Sequence, residues 1–193
     1  MNPDHVPIED QIANLRDCGI EPVSRFAIEY VVCEFGREEL EASPYEHLMS
    51  GLGGEYEDSQ GDWQPTSTGI WHVDTECIYD ACDYVKVVNR LALLTRRDLI
   101  LENVEAHFEN DAWVQFDIDG AKYHWELEVD GDWIDTSIFE RFAVLLAQNQ
   151  SERRYLVSES SGQDFLLICP TDEEFDLLAS LTPVRFGPIL PLN

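Results

Sequence analysis

Lysine is nearly missing from this chain of 193 residues, which holds only Lys86 and Lys122. Counting arginine, 12 basic residues stand against 39 acidic ones, for a formal charge of −27. Direct binding of DNA or RNA needs Lys and Arg to displace counterions from phosphates. The shortage therefore argues against nucleic acid as a direct ligand. An anionic membrane is disfavoured by the same repulsion, whereas basic proteins and cations are drawn in. A high-salt habitat or a biased genome would also produce acidic, lysine-poor proteins generally.

Other absences narrow the field further. The five cysteines (Cys18, Cys33, Cys77, Cys82, Cys169) form no Cys-x-x-Cys pair, so zinc-ribbon and thioredoxin-like motifs are missing. Scattered thiols in odd number fit a reducing, cytoplasmic setting. Met1 to Asp10 has neither the positive n-region nor the apolar h-region of a secretory leader. No apolar run approaches the length of a membrane span. Gly-x-Gly-x-x-Gly, the P-loop, Gly-x-Ser-x-Gly and His-Glu-x-x-His do not occur. These absences predict a protein without catalytic residues or cofactor.

What is present argues for a packed core. Apolar residues make up 44%, with nine Phe, seven Tyr and five Trp, more bulk than disordered chains carry. Ile8 to Asp17 predicts a helix with Ile8, Ile12 and Leu15 on one face. Phe26 to Phe35 has helical spacing, although its β-branched residues also permit a strand. Pro44 predicts the opening of a short helix through Leu48 that stops at Gly51, Gly53 and Gly54. The polar, glycine-bearing stretch from Gly53 to Gly69 reads as a long loop. A soft boundary there separates a mainly helical segment, 1–62, from an α+β domain, 63–193, one continuous domain being the alternative. The two parts carry net charges of −12 and −15, so the acidity is not confined to a tail.

In the second part Ile70 to Ile78 reads as extended, and Asp83 as the cap of a helix from Tyr84 to Thr95. Leu99 to Val104 predicts a strand. Ala112–Ile118, Asp119-Gly120 and Ala121–Val129 then give the clearest local signal, because Asp-Gly between alternating runs marks a two-residue hairpin. That turn sets Ile118 against Ala121, Asp117 against Lys122, Phe116 against Tyr123 and Val114 against Trp125. Asp135 or Ser137 starts a helix with Ile138, Phe142, Leu145 and Leu146 inward, and Ser137-x-x-Glu140 fits a capping box. Strands are expected near Arg154–Ser158 and Asp164–Cys169, and Thr171-x-x-Glu174 caps a last helix that Pro183 ends. The order predicts an α+β fold: an antiparallel sheet with a central β-hairpin and helices packed on one face.

Three constellations could carry chemistry. His72, Asp74 and Glu76 alternate along a predicted strand and could face a divalent metal together, as a metal-dependent hydrolase would need. A solvated acidic face is the plainer reading. Cys77 and Cys82 could pair with His72 as nucleophiles, but Asp74, Glu76, Asp80 and Asp83 around them raise a thiol's pKa. The third is the polar face of the hairpin, where the register places Trp113, Gln115, Asp117, His124, Glu126 and Glu128, followed by Asp130, Asp132 and Trp133. Residues 102–140 hold twelve acids and one base. A tryptophan among carboxylates suits a basic partner, through apolar contact and cation–π attraction. It would equally suit burial beneath a second layer, such as the N-terminal helices.

Trp71-His-Val-Asp-Thr-Glu-Cys-Ile78, Tyr123-x-Trp125-x-Leu-Glu-Val129, Asp132-Trp-Ile-Asp135 and Gly162-Gln-Asp164 resemble strings in small bacterial immunity proteins of polymorphic or contact-delivered toxin systems. The resemblance runs over roughly residues 63–186 and touches the N-terminal part only loosely. It implies a cytoplasmic protein that binds a toxin effector domain tightly and stoichiometrically, with no catalytic residues to carry over. Charge and resemblance together predict an acidic inhibitor of a basic protein. A nucleic-acid mimic that blocks a DNA-binding protein shares the same electrostatics.

Overall fold

A computed structural model describes residues 5–159 and 162–189. The N-terminal helices form much as their apolar spacing predicts. Helix α1 (Ile8–Asp17) buries Ile8, Ile12 and Leu15. It also buries Gln11, whose amide donates to the Val6 and Leu40 carbonyls at 2.8 and 2.9 Å and accepts from the Tyr45 amide at 2.8 Å. One side chain thus satisfies three backbone groups that packing would otherwise strand. Helix α2 (Arg25–Phe35) is capped by Ser24 and buries Ala27 and Val31, which resolves the helix-or-strand ambiguity in favour of helix. Gly36, at φ 83°, breaks the chain into a short α3 (Arg37–Ala42) that buries only Leu40, too thin a stripe to read from sequence. Helix α4 (Glu46–Gly53) follows.

The stretch expected to be a loop is a small hairpin instead. Strands β1 (Glu55–Glu57) and β2 (Trp63–Pro65) pair antiparallel. Within these two strands only Tyr56 is buried, packed against Phe26 and Tyr30. Strand β3 (Ile70–Asp74) leads into α5 (Ala81–Leu94). The cap of α5 is Asp80 rather than Asp83: Asp80 accepts from the Cys82 amide at 2.6 Å. Asp83 sits one turn in and reaches back to the amides of Tyr79 and Asp80.

Strand β4 (Glu102–Phe108) begins later than its apolar residues suggest, after a tight turn in which Arg96 and Arg97 adopt positive φ. Strands β5 (Ala112–Ile118) and β6 (Ala121–Leu127) pair in the register the Asp-Gly turn dictates, with Asp119 and Gly120 both at positive φ. Helix α6 (Ser137–Gln148) buries Ile138, Phe142, Leu145 and Leu146, but the expected Ser137 capping box is absent. Asp135 takes over, accepting from the Ser137 amide at 2.9 Å. Strands β7 (Leu156–Ser158) and β8 (Asp164–Ile168) precede α7 (Asp172–Leu181), whose Thr171–Glu174 capping box forms as its sequence predicts. A final short strand, β9 (Phe186–Pro188), closes the described chain.

The fold is α+β, and among the described residues every strand pairing is antiparallel. The strands do not join into one sheet around the central hairpin. They divide into the pair β1–β2, a four-stranded sheet ordered β3–β8–β7–β9 and a three-stranded sheet ordered β4–β5–β6. The four-stranded sheet is covered on both faces rather than one. Ile70, Leu156 and Ile168 point into a core built with α1, α4 and Leu178 of α7. Val73 and Leu167 point into a second core with α5, α6 and the three-stranded sheet. The boundary drawn at residue 62 falls in the turn of the β1–β2 hairpin.

Candidate partner-binding site

The three-stranded sheet turns one face inward and one to solvent, as alternation along its strands requires. Val114, Phe116 and Ile118 of β5 are buried, and Phe116 packs against Phe142 of α6. On the outer face Trp113 is half-buried, covered not by the N-terminal helices but by two imidazoles from the flanking strands. His107 of β4 stacks on it at 5.9 Å between ring centroids, and His124 of β6 lies at 5.2 Å. Each histidine is tied to a carboxylate, His107 to Asp111 and His124 to Glu126, both at 3.0 Å.

Beside this aromatic stripe lies a shallow cavity of about 440 Å³ lined by Asn103, Glu105, Gln115, Asp117, Lys122 and His124. Gln115 donates to Glu105 at 2.8 Å, and Asn103 donates to Asp117 at 2.8 Å. Lys122 lies 3.6 Å from Asp117, the cross-strand pair expected from the register. Trp113, Gln115, Asp117, His124 and Glu126 therefore share one face, in a single strip of acid and aromatic groups. His107 and Glu105 belong to it too. Apolar spacing ends the preceding strand at Val104, which leaves both outside the face that the hairpin register defines.

The remaining candidates lie past the end of β6 and form a second locus. Glu128 donates its amide to Asp135 at 2.9 Å, and Trp133 forms isolated bridges with Asp130 and Glu76. The Ile78 amide donates to the Asp132 carbonyl at 2.9 Å. These contacts bring the supposed metal group and the tail of the hairpin together. Tyr79 is 73% exposed and Trp133 is 41% exposed, with Asp74, Glu76, Asp130 and Asp132 around them. Desolvation and the charges of Asp132, Glu76 and Asp74 push the Tyr79 phenol upward, as converging negative charge would. No signal local in sequence could have joined Glu76 to Trp133.

Among the described residues no group of three or more His, Cys, Asp and Glu is arranged to hold a metal ion. Asp74 and Glu76 instead share the Gln163 amide, which donates to both at 3.0 Å. Burial, then Asp74, Asp83 and Glu55, raise the Cys77 thiol to about 11, the wrong direction for a nucleophile. Among the described residues no helix is long and apolar enough to cross a membrane. No family model, curated protein or solved structure matches this chain.

Proposed function

We propose that this protein works as an immunity-type inhibitor, binding a basic toxin domain through its acidic, aromatic surface and occluding it. The observation that carries the reading is the second locus, where Trp133 and Tyr79 stand exposed among four carboxylates, Asp74, Glu76, Asp130 and Asp132. An exposed tryptophan supplies contact area and a π face for arginine, and its carboxylate neighbours accelerate encounter with a cationic partner. The Trp113 strip extends the same chemistry across the outer sheet. The resemblance to immunity proteins agrees with this.

The test is co-expression with the product of an adjacent toxin-type reading frame. Protection of the cell and an equimolar complex that survives gel filtration in moderate salt are expected. Trp133→Ala should weaken that complex by more than about tenfold, the loss typical of a buried aromatic anchor. Continued killing with no complex overturns the proposal. Salt-labile binding to several unrelated basic proteins would instead favour a nucleic-acid mimic.

A further inference from the structure

A cavity of about 370 Å³ opens between the β1–β2 hairpin, β3 and α5, at the lower end of the range for ligand pockets. Two tryptophans line it. Trp63, on β2, is 64% exposed, and its ring meets no other aromatic ring among the described residues. Trp71, on β3, is half-buried and braced by Phe139 at 6.4 Å. Glu55 lines the same cavity, is exposed, and its carboxylate takes part in no hydrogen bond or ion pair among the described residues. Its charge still reaches Lys86 and Arg90 in the same cavity and favours their charged forms, so Glu55 lacks a direct partner but is not isolated from cations.

The charges in the cavity decide what fills it. Lys86 is already paired with Asp83 at 2.9 Å. Arg90 is only 6% exposed, and both its terminal nitrogens donate at 2.9 Å, to the carbonyls of Ser67 and Ile70. Its Nε has no partner, yet it is sealed from solvent, so an anion could not reach it without moving protein atoms. An anion would also have to pass Glu55, Asp74 and Asp83. A cation meets the Glu55 carboxylate, which has no hydrogen bond or ion pair among the described residues, the Asp74 carboxylate, whose Oδ1 already accepts from Gln163 and the Glu76 amide, and two indole faces.

We infer that this cavity receives an arginine or lysine side chain of the basic partner, with Trp63 and Trp71 as its aromatic walls and Glu55 and Asp74 as its counter-charges. The inference rests on the proposed binding of a basic protein and names its anchoring contact. Asp74 makes the geometry continuous, because it lines the cavity and also belongs to the locus around Tyr79.

The test uses the full chain and small probes: N-acetyl-arginine amide, its uncharged citrulline counterpart, and inorganic phosphate. Indole N–H resonances are followed by NMR, with Trp63 assigned through Trp63→Phe. The arginine probe should move the Trp63 and Trp71 indoles saturably, in the millimolar range. Glu55→Gln should weaken that response by about threefold to fivefold, as expected for one exposed charge contact, without altering the far-ultraviolet dichroism. No saturable shift, an equal response to citrulline, or a phosphate response at the same indoles overturns the assignment. If the arginine probe fails while the equimolar toxin complex forms, the cavity assignment falls and the inhibitor reading stands. If the probe binds and no complex forms, the cavity stands and the reading falls.

Discussion

The indole of Trp113 lies nearly parallel to the imidazole of His107, with 19° between the ring planes. His124, on the strand at the other side, completes the cover. Replacing both histidines by alanine should leave the fold intact, at a cost of about 1 kcal/mol or less per cross-strand pair. It should also bare the indole. The expected readout is increased acrylamide quenching and a red-shifted emission, absent when Trp113→Phe is combined with the same changes. Unchanged quenching would mean that other groups shield the ring.

Two glycines should respond very differently to alanine. A Cβ on Gly69 would sit 2.1 Å from the Gly19 carbonyl oxygen and 2.8 Å from Ile20 Cα, backbone atoms that cannot swing aside. Gly69→Ala should therefore cost at least about 2 kcal/mol in urea unfolding. Gly120, at φ +79°, has open space around it, so Gly120→Ala strains only the turn and should cost about 1 kcal/mol. Equal losses would contradict the packing at Gly69.

Glu174 joins three elements. It accepts from Arg96 at 2.8 Å, from Arg153 at 2.7 Å and from the Thr171 amide at 3.0 Å. Burial pushes its carboxyl up, but the Arg153 and Thr171 hydrogen bonds and the Arg96 charge outweigh it and hold the group below the ordinary carboxylate range. A carboxyl lowered by folding contributes stability above its unfolded pKa and loses it as pH falls through the folded value. Glu174→Gln should thus cost about 2 kcal/mol at neutral pH, less than a fully buried pair because the side chain retains 17% exposure. The deficit against the unaltered protein should narrow in strong acid. A constant deficit at every pH would remove the ionic contribution.

With a net charge of −27, the folded chain repels itself. Salt shortens the range of that repulsion from about 30 Å at 0.01 M to about 3 Å at 1 M. The melting temperature should rise with sodium chloride across that range. A flat or falling curve would show that the ion pairs of the basic residues outweigh the general repulsion.

The outer sheet was legible because its information is local: Asp119-Gly120 sets the turn, and alternation sorts Val114 and Phe116 from Trp113 and Gln115. Capping at Thr171–Glu174 is local in the same way. The β1–β2 hairpin was not, since only Tyr56 in it is buried and its anchors lie on α2. Nor was the partition of the sheets, which depends on β3 choosing β8, far along the chain, over β4. The candidate site divides along the same line. The Trp113 strip followed from register, whereas the meeting of Glu76 with Trp133 and the cavity under Trp63 are products of tertiary packing.

The doubly covered sheet also has a consequence for the chain while it is being made. Helices α1 and α4 rely on Leu156, Ile168 and Leu178 to close their apolar face. At roughly 5–20 residues per second, a ribosome leaves that face open for on the order of ten seconds. A nascent chain so exposed is prone to stick to its neighbours. Its carboxylates, spread along both halves, keep such half-made chains apart by repulsion. Like charge of that density opposes association between such chains before any finished surface exists.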